Sequence, residues 1–191
     1  MVYERDNFYV ITGCSGAGKS SIIEALKAKG FPCVDEAGRK IVQEQVRIGG
    51  DGTPWQDRTK FRELLLSRYI FLFEQVTERT APVFFDRGIP EIVTFAWASQ
   101  VQVPERHHAA ARMYRYARKV FIAPPWPEIF KPDQERRHSY EDALAMYRLT
   151  PEAYRESGYE LIEIPKAPIP ERADFILRHV GVPSTPDGTI T

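Results

Sequence analysis

Eight consecutive residues, Gly13-Cys14-Ser15-Gly16-Ala17-Gly18-Lys19-Ser20, fit the pattern G-x-x-x-x-G-K-S at every fixed position. That spacing suits a polyphosphate. Glycine accepts the left-handed backbone that a tight loop uses. Successive N–H groups then point inward as an anion nest at a helix N-terminus. The expected nucleotide-binding residues are Gly13, Ser15, Gly16, Ala17, Gly18, Lys19, Ser20 and Ser21. Lys19 is expected to reach the β- and γ-phosphates, and the Ser20 hydroxyl to ligate Mg²⁺. A chance glycine turn is the competing reading, and the flanks argue against it. Phe8-Tyr9-Val10-Ile11 reads as a buried strand, and residues 21–27 have helical spacing.

A second group of chemistry-bearing residues lies where later strands should end. In open α/β sheets, ligands bind beyond the carboxyl ends of the strands. The second apolar run ends in Asp35-Glu36, and the third in Asp86-Arg87-Gly88. Two acids beside a triphosphate could supply a metal-linked carboxylate and a general base, so Glu36 and Asp86 are the catalytic candidates, with Asp86 also a metal ligand. The bland alternative is that both acids cap the helices that follow. Arg87 and Arg39 are candidate phosphate or substrate ligands, because a guanidinium fork matches phosphate oxygens. After the fourth run, Pro124-Pro125-Trp126-Pro127 opens a charge-rich stretch through Ser139. So long a connection reads as a lid over 124–140. Arg136 and Arg137 within it are expected to close over the transferring phosphoryl group.

These residues need a scaffold. Short apolar runs recur at Phe8 to Ile11, Phe31 to Val34, Pro82 to Phe85, Lys119 to Ala123 and Tyr159 to Ile164. All read as strands covered on both faces. Helical patterns separate them at 37–48, 59–79, 89–99, 105–118, 140–156 and 170–180. The clearest stripe, Phe61, Leu65, Tyr69, Leu72, Phe73 and Val76, is expected to be plain core. Alternating strands and helices imply an α/β fold: a parallel sheet with helices on both faces. One domain is expected over 1–182, with 183–191 a polar tail.

Composition narrows the class. The chain has 191 residues, 43% hydrophobic and 27% charged, which suits a globular domain. Lys and Arg total 26, as do Asp and Glu, so nothing points to nucleic acid or an anionic membrane surface. No stretch is long and apolar enough to span a bilayer. A charged start and two cysteines, Cys14 and Cys33, lead us to expect a cytoplasmic protein without a signal peptide. Nothing in the sequence indicates an oligomer. His107-His108 reads as a solvated face on a charged helix rather than a metal site.

On these motifs the sequence resembles the P-loop AAA-type domain family that includes the ribosylnicotinamide kinase half of a bacterial NAD-biosynthesis regulator. The resemblance runs from about Phe8 to Val180. It rests on residues 13–20, 35–39 and 85–88, on the Pro-Trp element leading to Asp133 and Glu135-Arg136, and on the closing helix from Pro170. More widely the chain is similar to nucleoside and nucleotide kinases. That likeness implies a three-layer P-loop NTPase with a five-stranded parallel sheet in the order 2-3-1-4-5. It implies Glu36 as base, Asp86 as base or metal-water ligand, Arg87 on substrate or γ-phosphate, and Arg136 and Arg137 in the lid. The function expected is phosphoryl transfer from Mg-ATP to a small-molecule acceptor: a nucleoside, a nucleotide or a related hydroxyl compound. The alternative is a nucleotide-hydrolysing or nucleotide-sensing regulator with a protein or lipid partner. A guanine-reading Asn-Lys-x-Asp motif is absent, since Asn7 is the sole asparagine. The loop also lacks the G-x-G-x-x-G of a dinucleotide binder.

Overall fold

The computed structural model describes residues 1–130 and 139–182. Five strands form the main sheet: β2 (Phe8–Gly13), β3 (Cys33–Val34), β4 (Val83–Asp86), β6 (Lys119–Ala123) and β7 (Glu160–Glu163). Their order is β3-β4-β2-β6-β7, all parallel, which is 2-3-1-4-5 when the five are numbered along the chain. β2 lies in the centre, where Ile11 pairs with both Asp86 and Phe121. The strand that feeds the glycine loop is thus hydrogen-bonded on both sides.

Helices cover both faces. On one, α1 (Lys19–Ala28) and α7 (Ile169–Val180) bury Ile22, Ile23, Leu26, Ala173, Ile176 and Leu177 against Ile11, Phe84 and Phe121. On the other lie α2 (Ala37–Ile48), α3 (Arg58–Glu74), α4 (Glu91–Ala98), α5 (Glu105–Met113) and α6 (Tyr140–Glu156). Phe61, Leu65, Tyr69 and Phe73 of the α3 stripe are buried in the core of that face.

The structure departs from the sequence reading at three places. α3 stops at Glu74 instead of running to residue 79. There the Thr77 hydroxyl takes the Glu74 carbonyl at 2.9 Å, and Asn7 Nδ2 donates to the carbonyls of Arg79 and Ala81. These side-chain bonds to the backbone, a local one from Thr77 and long-range ones from Asn7, compete with the helix ladder and turn the chain into β4. α5 ends at Met113, because Tyr114–Arg115 is a short strand, β5, parallel to β1 (Tyr3–Glu4). Stacking of Tyr3 on Tyr114 at 5.2 Å secures that pair. His107, expected in solvent, is fully buried and bonded through Nε2 to Glu63 at 2.8 Å. Burial holds its pKa below the usual histidine value.

Candidate active site

The loop after β2 has the backbone its glycines predict. Gly13 lies at φ 119°, and a Cβ there would sit 2.2 Å from the Ala123 carbonyl oxygen, so β2 and β6 close together only over glycine. Gly16, at φ 77°, is covered by the Phe130 ring, which a Cβ would meet at 2.4 Å. Gly18 is the left-handed N-cap of α1. Lys19 is buried and folds back on the loop, donating to the carbonyls of Cys14 at 2.7 Å and Gly13 at 3.3 Å. Ala17 is buried, Ser15 half-buried, and Ser20 and Ser21 are open to solvent.

Asp86 ends β4 beside this loop. Ser20 Oγ donates to its Oδ2 at 3.1 Å, while Oδ1 is buried with no hydrogen-bond partner. Burial, and after it the field of Glu36, push the Asp86 carboxyl up to about 6, against Lys19, Arg87 and the Ser20 hydroxyl. A hydroxyl beside a carboxylate oxygen lacking a donor is a hard, all-oxygen set, which fits Mg²⁺. Among the described residues no group of three or more His, Cys, Asp or Glu side chains could hold a metal. Ser20 and Asp86 therefore fit an ion that draws its remaining ligands from phosphate and water.

Neither acid caps a helix through its side chain. Pro90 is the N-cap of α4, and Glu36 occupies the α2 N-cap position without a side-chain cap bond. Of the Asp35-Glu36 pair, Asp35 turns outward to Lys27 at 2.5 Å and Lys40 at 3.8 Å. Glu36 turns inward, its Oε1 lying 3.5 Å from Arg87 Nε. Arg39 is half-buried on the first turn of α2.

Arg87 is the departure from the sequence picture. It takes a left-handed φ of 71°, unusual for a residue with a side chain. Its N–H bonds the Ile11 carbonyl at 2.9 Å, which ties it to the strand below the loop. Its guanidinium lies between Glu36 and Glu91, with Nη1 bonded directly to Glu91 Oε1. Burial opposes its charge, but the fields of Glu91 and Glu36 outweigh burial and hold it above its ordinary pKa. Glu91 was not singled out from the sequence, nor were its other partners. Thr12 Oγ1 donates to its Oε2 at 2.8 Å and the Tyr154 hydroxyl at 3.1 Å. The one local signal was the i, i+4 spacing of Arg87 and Glu91.

Arg136 and Arg137 lie outside the described residues, as do the rest of 131–138 and the tail. The stretch before them is a 3₁₀ turn, Pro127–Ile129, then Phe130, whose ring meets Tyr140 edge-on at 5.3 Å. Ser139 and Asp142 close a capping box at the start of α6.

Sheet order and loop together define a three-layer P-loop NTPase fold of the kinase type. Solved structures with this architecture include deoxyadenosine kinase from M. mycoides with products dCMP and a flexible dCDP bound (TM-score 0.64, 13% identity, 91% of this chain and 98% of that one). Thymidylate kinase from Candida albicans is similar at TM-score 0.65 and 11% identity, over 93% and 92% of the two chains. Shikimate kinase from Acinetobacter baumannii in complex with shikimate follows at 0.52 and 16%, over 91% of each. A search of curated proteins finds no sequence match. Residues 8–172 match the family described as an AAA domain, and the chain belongs to that family.

Proposed function

We propose that this chain is a Mg-ATP-dependent kinase that phosphorylates a hydroxyl group on a small molecule: a nucleoside, a nucleotide or a related acceptor. The observation that carries the reading is the meeting of two differently placed carboxylates at one phosphate loop. Asp86 is bound to the loop through Ser20, and Glu36 stands off it on α2. Hydrolysis needs only an oriented water, whereas a second acid held to one side suits an acceptor hydroxyl.

In this reading residues 13–21 hold the polyphosphate through backbone N–H groups, and Lys19 leaves its loop carbonyls for the β/γ oxygens. Ser20 and Asp86 would hold Mg²⁺, which would supply charge neutralisation to the phosphates. Glu36 accepts the proton of the acceptor hydroxyl as that oxygen bonds to the γ-phosphorus and the bond to the ADP oxygen breaks. Arg87 orients Glu36 through its Nε. In the resemblance noted above, Arg136 and Arg137 belong to the lid, and shielding the transfer from water is their proposed part.

The test is an acceptor screen with Mg-ATP, scored by ADP formation that depends on the added compound. With an acceptor in hand, Glu36→Gln should lower turnover by about 10² or more and leave nucleotide affinity nearly intact. Full turnover in that variant would remove Glu36 as base. ADP formation indifferent to every acceptor would remove the kinase reading.

A further inference from the structure

We propose that Arg172 serves the phosphate loop as a fixed cation: it lies buried behind Gly18, and the polyphosphate of the nucleotide is the charge that balances it. The inference rests on the nucleotide-binding part of the kinase reading and adds a residue of α7 to that site.

A fully buried arginine ordinarily meets a carboxylate. Arg172, in the first turn of α7, is 1% exposed, and among the described residues its Nε and Nη1 have no hydrogen-bond partner. Burial lowers its pKa from the ordinary arginine value, and among the described residues no carboxylate field offsets that. Asp174, two residues on, is held by Lys29 at 3.1 Å. The Trp126 ring, its centroid 5.6 Å from Arg172 Cζ, offsets part of the cost of burial. The bland reading is an arginine that merely fills the space between α7 and the loop. An aliphatic side chain would fill that space without burying unpaired donors, so packing alone does not account for it.

What the guanidinium faces is the phosphate loop. A Cβ on Gly18 would sit 2.8 Å from Arg172 Nη1, with side-chain carbons of Ile129 and Ile169 at 3.5 and 3.7 Å. The charge therefore reaches the loop backbone across a residue that has no side chain, within an apolar wall. Gly18 is the N-cap of α1, it makes no side-chain cap bond, and the first turn of that helix carries no acid. The free N–H groups of the turn, the Lys19 ammonium and the Arg172 guanidinium thus add with one sign. The cations that act on the Asp86 carboxyl are Lys19 and Arg87, not Arg172. In an apolar wall a charge acts more strongly than it would in water. Because Nη1 is buried, Arg172 acts through its field and not through a direct bond, so it favours a polyanion whatever base or sugar that polyanion carries.

The experiment uses the full chain and two probes, Mg-pyrophosphate and Mg-ATP. Both are titrated by calorimetry into wild type, Arg172→Met and Arg172→Lys, and melting temperatures are measured without ligand. Arg172→Met should bind both probes about tenfold or more weakly than wild type. Its ligand-free melting temperature should equal or exceed that of wild type, because a buried charge without a partner is gone. Arg172→Lys keeps the charge and should bind both probes more tightly than Arg172→Met. Equal affinities in wild type and Arg172→Met would overturn the proposal. So would a loss confined to Mg-ATP, which marks a contact to base or ribose, or a lysine variant as weak as the methionine one. An Arg172→Met protein that melts below wild type, or fails to fold, would make the arginine part of the scaffold and overturn the proposal as well. Should wild type bind neither probe, the nucleotide reading falls and the proposal with it. Wild-type binding beside an unaffected Arg172→Met removes the proposal alone.

Discussion

Asp86 has one oxygen on Ser20 and the other buried without a donor, and its carboxyl is pushed up to about 6 by burial and by Glu36. A group whose folded pKa is raised favours the folded state only in its protonated form. Near neutrality its charge works against folding. Asp86→Asn should therefore raise the melting temperature at neutral pH while weakening Mg-dependent nucleotide binding. A variant that loses both stability and binding would show that Asp86 is a structural acid. Lys19→Ala removes a charge-assisted phosphate contact of about 1.5–3 kcal/mol, so Mg-ATP affinity should fall roughly tenfold or more. Unchanged affinity by calorimetry would move the nucleotide elsewhere. At this scale the motif residues were legible, because Lys19, Ser20 and Asp86 owe their places to local pattern. Glu91 was not, since its partners Thr12 and Tyr154 lie 79 and 63 positions away in the chain.

Elements were legible where one periodicity ran unbroken. β6 and α2 fall where apolar pattern and turn residues put them, and α6 begins at the residue after a Ser139 cap. The ends of α3 and α5 were not legible, because distant side chains decide them: Asn7 on the carbonyls after α3, and Tyr3 against Tyr114. The capping box makes the start of α6 a local test. Ser139→Ala should lower stability by about 1 kcal/mol, read from the denaturation midpoint. No change would mean that packing alone holds that turn. Gly13→Ala should be more harmful, by more than about 1 kcal/mol, because its φ is positive and a methyl would overlap the β6 backbone. A crystal structure of a folded Gly13→Ala protein with β2 and β6 undisturbed would contradict that fit.

Over the whole molecule, acid acts in two opposing directions. His107 is held neutral by burial, so its contribution is complete above the ordinary histidine value and is lost as pH falls toward its lowered one. Glu63, bonded to Arg106 and His107, is held below the carboxylate range and loses its contribution at still lower pH. Asp86 works the other way and gains as pH falls through about 6. The melting temperature of Asp86→Asn should therefore fall more steeply on acidification than that of the wild type, because the compensating gain is missing. Identical slopes for the two proteins would contradict the raised carboxyl. The sheet order was legible through its resemblance to kinases, while the small β1–β5 pair, two residues a side, was too short to leave a pattern. Among the described residues the main sheet ends at two strands, β3 and β7, with a consequence for how copies of the chain meet. β3 is two residues long, and β7 carries the exposed acids Glu160 and Glu163, one on each face of the strand. A strand from another molecule would find either too few backbone groups to grip or a negative charge on each side of the border. Such borders discourage ribbon-like aggregation, so a crowded solution of this protein should stay clear of fibres even though five parallel strands form its centre.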